Sequence, residues 1–314
     1  MNNSLKLIAT PDFTGVPNLE KLVFNGCINL LEVHPSIMVL KRLTLLDLEN
    51  CKSLRSLPSK FEMESLEILI LSGCSKIEKI PEFMGSMKRL SKLHLNGTAI
   101  TKLPSSIEHL TNLEELSFWG CKGPPSKLWN KLFPFNLMQR RSQNLVSLLL
   151  PSLLGMCSLK RLDLSDCSLQ TIPNDFGNLS SIAVLNLSEN HFSCLPKSIR
   201  QLSKLSAIYL RNCTRLCSLP QLPSTTFWVV ADGCTSLETF PNGLKPHHTH
   251  RTHLFFLNCF KLAGQSDMFI NVLRMLLTVH QVSLSLSLSL SLSVLIFICV
   301  CVCVRILNIL VFMF

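Results

Sequence analysis

Apolar residues recur along this chain with a period of about 23 residues. The motif L-x-x-L-x-L-x-x-C, in which x is any residue, aligns with successive starts 21 to 24 residues apart, except for one step of 46. Its alternation of apolar and polar positions predicts a short strand with one buried face. One such strand cannot bury that face alone, so neighbouring repeats must stack around a common core. The motif starts at Leu19, Leu43, Leu66, Leu90, Leu113, Leu159, Ile182, Leu205 and, in degenerate form, Thr226.

The unit that begins at Leu66 shows how each repeat should fold. Leu69 and Leu71 should face the core, whereas Ile70 and Ser72 should face outward. A return segment with a Leu-Pro or Ile-Pro pair follows in most units, and proline offers no N–H to a second regular strand. The pattern predicts an α/β fold, namely a leucine-rich-repeat solenoid or horseshoe. We expect a parallel β-sheet on the concave face, an irregular or short helical convex side, and a hydrophobic C-terminal tail.

The ninth motif position holds one small residue in every unit. We expect a buried structural ladder at the turn after each strand, because a thiol, hydroxyl or amide there can bond backbone groups. A 23-residue spacing is not that of metal ligands, so we expect structural free thiols and no metal. The ladder comprises Cys27, Cys51, Cys74, Thr98, Cys121, Cys167, Asn190, Cys213 and Cys234.

The outward positions of the strands form columns across the concave face, where we expect a protein ligand to bind. Trp119, Tyr209 and Arg211 are the preferred anchors, with Trp228 beside the last strand, because aromatic and arginine side chains supply much of the energy at protein interfaces. The alternative is a solvated face that carries a few aromatics by chance. No column gathers a Ser/His/Asp set or a carboxylate pair, so we expect no catalytic site and no enzyme. The polar members of the predicted face are Asp47, Glu49, His94 and Asp163.

Several stretches carry a family resemblance. Residues 10–22 (TPDFTGVPNLEKL), 71–76 (LSGCSK), 95–100 (LNGTAI) and 103–107 (LPSSI) resemble the repeats of plant intracellular nucleotide-binding leucine-rich-repeat immune receptors of the TIR class. Residues 256–262 (FLNCFKL) look like the opening of the β-sandwich domain that follows the repeats in that class. The resemblance implies a disease resistance protein whose repeats sense a pathogen effector or a guarded host protein and restrain a nucleotide-binding domain.

The repeat period and the resemblance together give the expected domain organisation. We expect a partial leading repeat at 1–18, about nine repeats at 19–245 with an insertion at about 122–149, a truncated post-repeat segment at 246–281, and a low-complexity and hydrophobic tail at 282–314. The insertion is either a tolerated surface loop or a partner-contacting loop. No G-x-x-x-x-G-K-[ST] phosphate loop occurs in the chain, so we expect no nucleotide or other cofactor.

Charge and compartment follow from the rest of the sequence. The net charge is +10, but the basic residues do not gather on one predicted element and aromatics are only 7%, so we expect no nucleic-acid partner. A secretion signal is not evident at the start, and the 14 cysteines mostly follow the repeat, which favours a reducing compartment. We therefore expect a cytoplasmic or nuclear location. Four histidines within residues 247–253 are interpreted as a polar loop rather than a metal site.

The tail has two interpretations. Residues 283–293 alternate Ser and Leu and residues 299–304 alternate Cys and Val, as translated dinucleotide repeats would, which favours read-through of an intron or untranslated region near residue 282. The alternative is a membrane anchor, because residues 294–314 are apolar and long enough to span a bilayer, although Arg305 lies near the middle. In that case the chain would be a membrane-anchored leucine-rich-repeat receptor or adaptor.

Overall fold

One parallel sheet runs through the described chain. The computed structural model describes residues 2–59, 62–83, 87–100, 103–121, 156–239 and 253–262. Its ten strands pair in chain order, as successive turns of a solenoid do. They are β1 (Lys21–Val23), β2 (Leu45–Asp47), β3 (Ile68–Ile70), β4 (Lys92–His94), β5 (Glu115–Ser117), β6 (Arg161–Asp163), β7 (Val184–Asn186), β8 (Ala207–Tyr209), β9 (Trp228–Val230) and β10 (His253–Phe255).

The register of the sheet follows the repeat. The middle residue of each strand pairs with the middle residue of the next, as in Leu46↔Leu69 and Leu69↔Leu93. Leu69 and Leu71 are fully buried and Ile70 is only half-buried, as the alternation predicted. β5 and β6 pair directly through Leu116↔Leu162, so the 46-residue step leaves the stacking uninterrupted. Every strand therefore adds its apolar middle residue to one continuous core.

The return segments form the convex side with four short 3₁₀ helices. Three of them begin directly after a proline, and the first contains proline at its first position. Proline suits this place because its fixed φ fits a helix start and its missing N–H is not needed there. One apolar side chain from each helix points into the core, as Phe176 does. The helices are Pro35–Val39, Ser105–His109, Asn174–Asn178 and Lys197–Gln201.

The parallel sheet and the irregular, short helical convex side confirm the predicted solenoid. Besides the ten strands, the β-structure of the described residues consists of isolated bridges on the return side, such as Ala9↔Glu32. Those residues include no helix with the length and apolar character needed to cross a bilayer. The insertion at about 122–149, the histidines at 247–250 and the tail at 282–314, with its candidate span at 294–314, lie outside the described residues.

The sheet extends past the expected end of the repeats at residue 245. β10 pairs in register with β9, and Cys259 is buried where a ladder residue would be. The motif L-x-x-L-x-L-x-x-C did not predict this unit, because Arg251 occupies its first position. The other units have an apolar residue or Thr226 there. Leu254, Phe256 and Cys259 still match the remaining apolar positions. Residues 253–262 thus continue the solenoid, whereas the sequence assigned them to a segment after it.

Candidate functional site

The predicted face residues lie on the concave side of the sheet. Asp47, His94, Asp163 and Tyr209 are the last residues of β2, β4, β6 and β8. Glu49, Trp119 and Arg211 follow their strands by two residues, which brings them to the same face. Trp228, expected beside the last strand, is instead the first residue of β9.

A groove of about 390 Å³ lies at the centre of this face, over β4 to β8. Four of the predicted residues line it, namely His94, Asp163, Tyr209 and Arg211. Asp47, Glu49, Trp119 and Trp228 are not among its lining residues. The groove thus separates the predicted set into a central group and outlying positions.

Glu115 in β5 organises one wall of the groove. Its carboxylate lies 3.2 Å from Nε2 of His94, 3.5 Å from Nζ of Lys92 and 3.7 Å from a guanidinium nitrogen of Arg161. Ion pairs this exposed contribute little to stability, but together they order side chains across three strands. The sequence reasoning missed Glu115, Lys92 and Arg161, although the period of two places the first residue of each strand on the same face as the third.

Asp163 forms the floor of the groove and is held by neutral donors. One carboxylate oxygen accepts a hydrogen bond from the backbone N–H of Ser165 at 2.9 Å and another from the Ser165 hydroxyl. The other oxygen accepts from the Asn186 amide at 3.1 Å. These bonds fix the carboxylate without neutralising its charge.

Tyr209 and Arg211 form the opposite wall. The guanidinium carbon of Arg211 lies 5.7 Å from the centre of the Tyr209 ring, within the range of a cation–π contact. Nε of Arg211 also lies 3.8 Å from a carboxylate oxygen of Asp232. Asp232 was not among the predicted anchors. Arg211 is thus positioned by two neighbours while its side chain stays more than half exposed.

Two tryptophans lie on the face outside the groove. The Trp119 side chain is exposed, and its backbone N–H donates to the Asn96 side-chain oxygen at 2.9 Å. Trp228 is half-buried and packs its ring 4.6 Å from His253 and 5.3 Å from Phe255, measured between centroids. An exposed indole such as that of Trp119 offers a large apolar contact at little cost in conformational entropy.

Asp47 and Glu49 lie apart from the groove, on β2 and its following turn. Asp47 accepts a hydrogen bond from the Glu49 N–H at 2.9 Å, and Glu49 accepts from the Asn25 amide at 2.7 Å. Both residues lie at the end of β2, four strands from Asp163 on β6.

The ladder residues lie buried at the turn after each strand. In the units of β2 to β9, except that of Thr98, the ladder side chain donates to the carbonyl of the sixth motif residue in the preceding unit, as Cys74 does to Leu48 at 3.1 Å. Thr98 donates instead to Leu95 of its own unit at 2.7 Å. Asn190 makes the inter-unit bond to Leu164 at 2.8 Å and adds further backbone bonds. Cys259 extends the ladder by bonding Ala231 at 3.1 Å.

Buried ladder thiols should resist alkylation. Burial raises the pKa of the Cys51, Cys74 and Cys259 thiols to about 12, which suppresses the reactive thiolate near neutral pH. We expect iodoacetamide at pH 8 to label the exposed Cys194 and Cys217 in the folded protein, whereas the ladder should react only after denaturation. Peptide mass spectrometry resolves each site. Labelling of Cys74 at the rate of Cys217 in the folded protein would contradict the packing described.

Among the described residues, no three His, Cys, Asp or Glu side chains form a group that could hold a metal ion. The groove instead presents fixed hydrogen-bonding groups, charges of both signs and an aromatic ring. Such a surface is suited to recognise another molecule's side chains.

Sequence comparisons relate the chain to plant proteins. A leucine-rich-repeat family model matches residues 157–215. The chain is 33% identical over 276 residues to TMV resistance protein N of Nicotiana glutinosa, and the match covers 70% of the chain. It is 36% identical over 250 residues to disease resistance-like protein DSC1 of Arabidopsis thaliana, and that match covers 78% of the chain. The matched regions span only 24% and 19% of these two relatives.

The fold also matches a solved structure. The leucine-rich repeat domain of the type III effector XopL superposes with a TM-score of 0.52, covering 72% of this chain and 73% of that one. The identity is 22%, so the likeness concerns the fold alone.

Proposed function

Because this chain belongs to the family of plant disease resistance proteins with leucine-rich repeats, we propose that its concave face senses a pathogen effector or a guarded host protein. The repeats form a protein-interaction module. In a full-length receptor, the same repeats would contact the nucleotide-binding domain and restrain it until the ligand binds. We place this recognition in the cytoplasm or nucleus, and we assign the sensing region to residues 19–245 together with the strand that follows.

The groove over β4 to β8 carries this proposal. It joins oriented charges at Glu115 and Asp163 to the Tyr209 and Arg211 pair, and the exposed Trp119 lies nearby on the turn after β5. Protein interfaces draw most of their energy from such aromatic and arginine anchors surrounded by polar groups.

Removing an anchor should weaken capture of the ligand. The full chain, used as bait in extracts of infected and uninfected plant tissue, should retain a protein whose recovery depends on Trp119 and Tyr209. Loss of an anchor that acts as a hot spot costs at least about 2 kcal/mol, or roughly 30-fold in affinity. We therefore expect Trp119→Ala and Tyr209→Ala each to reduce quantitative recovery strongly.

Phe260→Ala is the matched control, because it removes an exposed aromatic ring that follows the ladder residue Cys259 and belongs to none of the predicted outward columns. It should leave recovery unchanged. Equal recovery by wild type, Trp119→Ala and Tyr209→Ala would reject the concave face as the binding surface.

A further inference from the structure

The carboxylates that line the groove differ in how their charge is balanced. Glu115 has three basic side chains within 4 Å, namely Lys92, His94 and Arg161. Asp163 has no basic side chain within that distance among the residues that the structure describes. It lies one strand from Glu115 in the same groove, so the imbalance is local rather than a property of the whole face.

The neighbouring cations are engaged elsewhere. Arg161 lies on the same strand as Asp163, but its guanidinium faces Glu115 at 3.7 Å. Arg211, on the far wall, faces Asp232 at 3.8 Å and the Tyr209 ring. The negative charge of Asp163 is therefore open to a cation from outside the chain.

The hydrogen bonds to Asp163 prepare it for such a cation. Ser165 and Asn186 hold both carboxylate oxygens in place, so no side-chain entropy is lost when a ligand pairs with them. Oδ1 already accepts two hydrogen bonds from Ser165, whereas Oδ2 accepts only one, from Asn186. The second lone pair of Oδ2 is therefore the acceptor left for a guanidinium or ammonium group. Hydrogen bonds between charged groups are about twice as strong as neutral ones, and more so in a partly desolvated groove.

We propose that Asp163 receives an arginine or lysine side chain of the protein ligand, with the rest of the groove enclosing its aliphatic stem. This inference rests on the proposed protein-binding function of the concave face and specifies the chemistry that the face selects. The oriented serine and asparagine act as positioning residues for the carboxylate. A ligand segment with a basic residue at its centre is the expected partner.

A random dodecapeptide library displayed on phage provides the probe. Panned on the full chain, it should enrich peptides with one invariant arginine or lysine. Asp163→Asn removes the charge at nearly constant shape, and it should weaken binding of the synthetic peptides at least tenfold by fluorescence polarisation. Replacing the peptide's basic residue with glutamine should weaken binding to wild type by the same factor and leave binding to Asp163→Asn unchanged. This result is expected when the two side chains pair directly.

Asp175→Asn is the matched control, because Asp175 is an exposed carboxylate in the convex helix Asn174–Asn178. It should bind the peptides as wild type does. Peptides that lose affinity with Tyr209→Ala but bind Asp163→Asn unchanged would overturn the role of Asp163 and leave the proposed function standing. Enriched peptides without a common basic residue would also overturn the role of Asp163. Peptides whose affinity is unchanged by Trp119→Ala, Tyr209→Ala and Asp163→Asn alike would count against the concave face as the binding surface.

Discussion

Replacing Asn190 with leucine should lower the free energy of unfolding by about 3 to 5 kcal/mol, since a buried unsatisfied backbone group costs about 1 to 3 kcal/mol. Asn190 is fully buried, and its side chain joins two units of the solenoid through backbone bonds. Its oxygen accepts from the N–H groups of Cys167 and Leu169 at 3.1 and 2.9 Å. Its amide donates to the carbonyls of Leu164, Leu187 and Ser188.

Urea unfolding followed by circular dichroism measures this change. Asn178→Leu provides the control, because Asn178 is an exposed residue at the end of a convex helix and the same chemical change leaves no buried group unpaired there. It should shift the midpoint little. An Asn190→Leu protein with the wild-type midpoint would mean that the ladder does not depend on this amide.

Truncating Phe176 to alanine should destabilise the chain by a comparable amount, about 3 to 5 kcal/mol, as in other fully buried aromatic truncations. The ring is fully buried and projects from the helix Asn174–Asn178 into the core. Its loss removes apolar burial and leaves a cavity between the convex side and the sheet. Phe260→Ala makes the same truncation at a side chain that is 61% exposed, and it should cost little. Thermal and urea unfolding of the two variants should therefore differ clearly.

The solenoid makes the form of the unfolding curve informative as well. Each unit contacts only its neighbours, so stability is close to a sum of unit and interface terms. A loss at Phe176 or Asn190 weakens the interfaces between the units around β6 to β8. We expect the transition of either variant to broaden, and equal midpoint shifts without broadening would indicate that the whole array unfolds as one unit.

The repeat pattern was sufficient to predict the architecture. Leu69 and Leu71 alternate with Ile70 and Ser72, and this alternation already assigns one side to the core. The ladder could be recognised because one small residue recurs where the chain must turn. The columns of outward residues followed from the same period. The sequence therefore predicted that His94, Asp163, Tyr209 and Arg211 lie on the concave face, where they line the groove.

The strand β10 and part of the groove were not predicted from the sequence. β10 was missed because Arg251 interrupts its motif, although stacking on β9 was enough to form the strand. Glu115 and Arg161 were not predicted, because they are the first residues of β5 and β6 and the predicted columns contain only the last strand residue and the turn after it. A carboxylate separated by 46 residues from its partner arginine gives no local signal, since only the register of β5 against β6 brings the two together.

Period and burial are local properties, and leucine placed at every second strand position is enough to specify a stacked parallel sheet with a known inner side. Close contacts between units are not local, because they depend on how tightly successive turns approach. Gly177 is an example, since a Cβ there would clash with the backbone oxygen of Ser198 in the next turn. The unequal charge balance of Glu115 and Asp163 arises in the same way. It depends on which side chains of adjacent strands reach each carboxylate, and that is decided only when the turns pack.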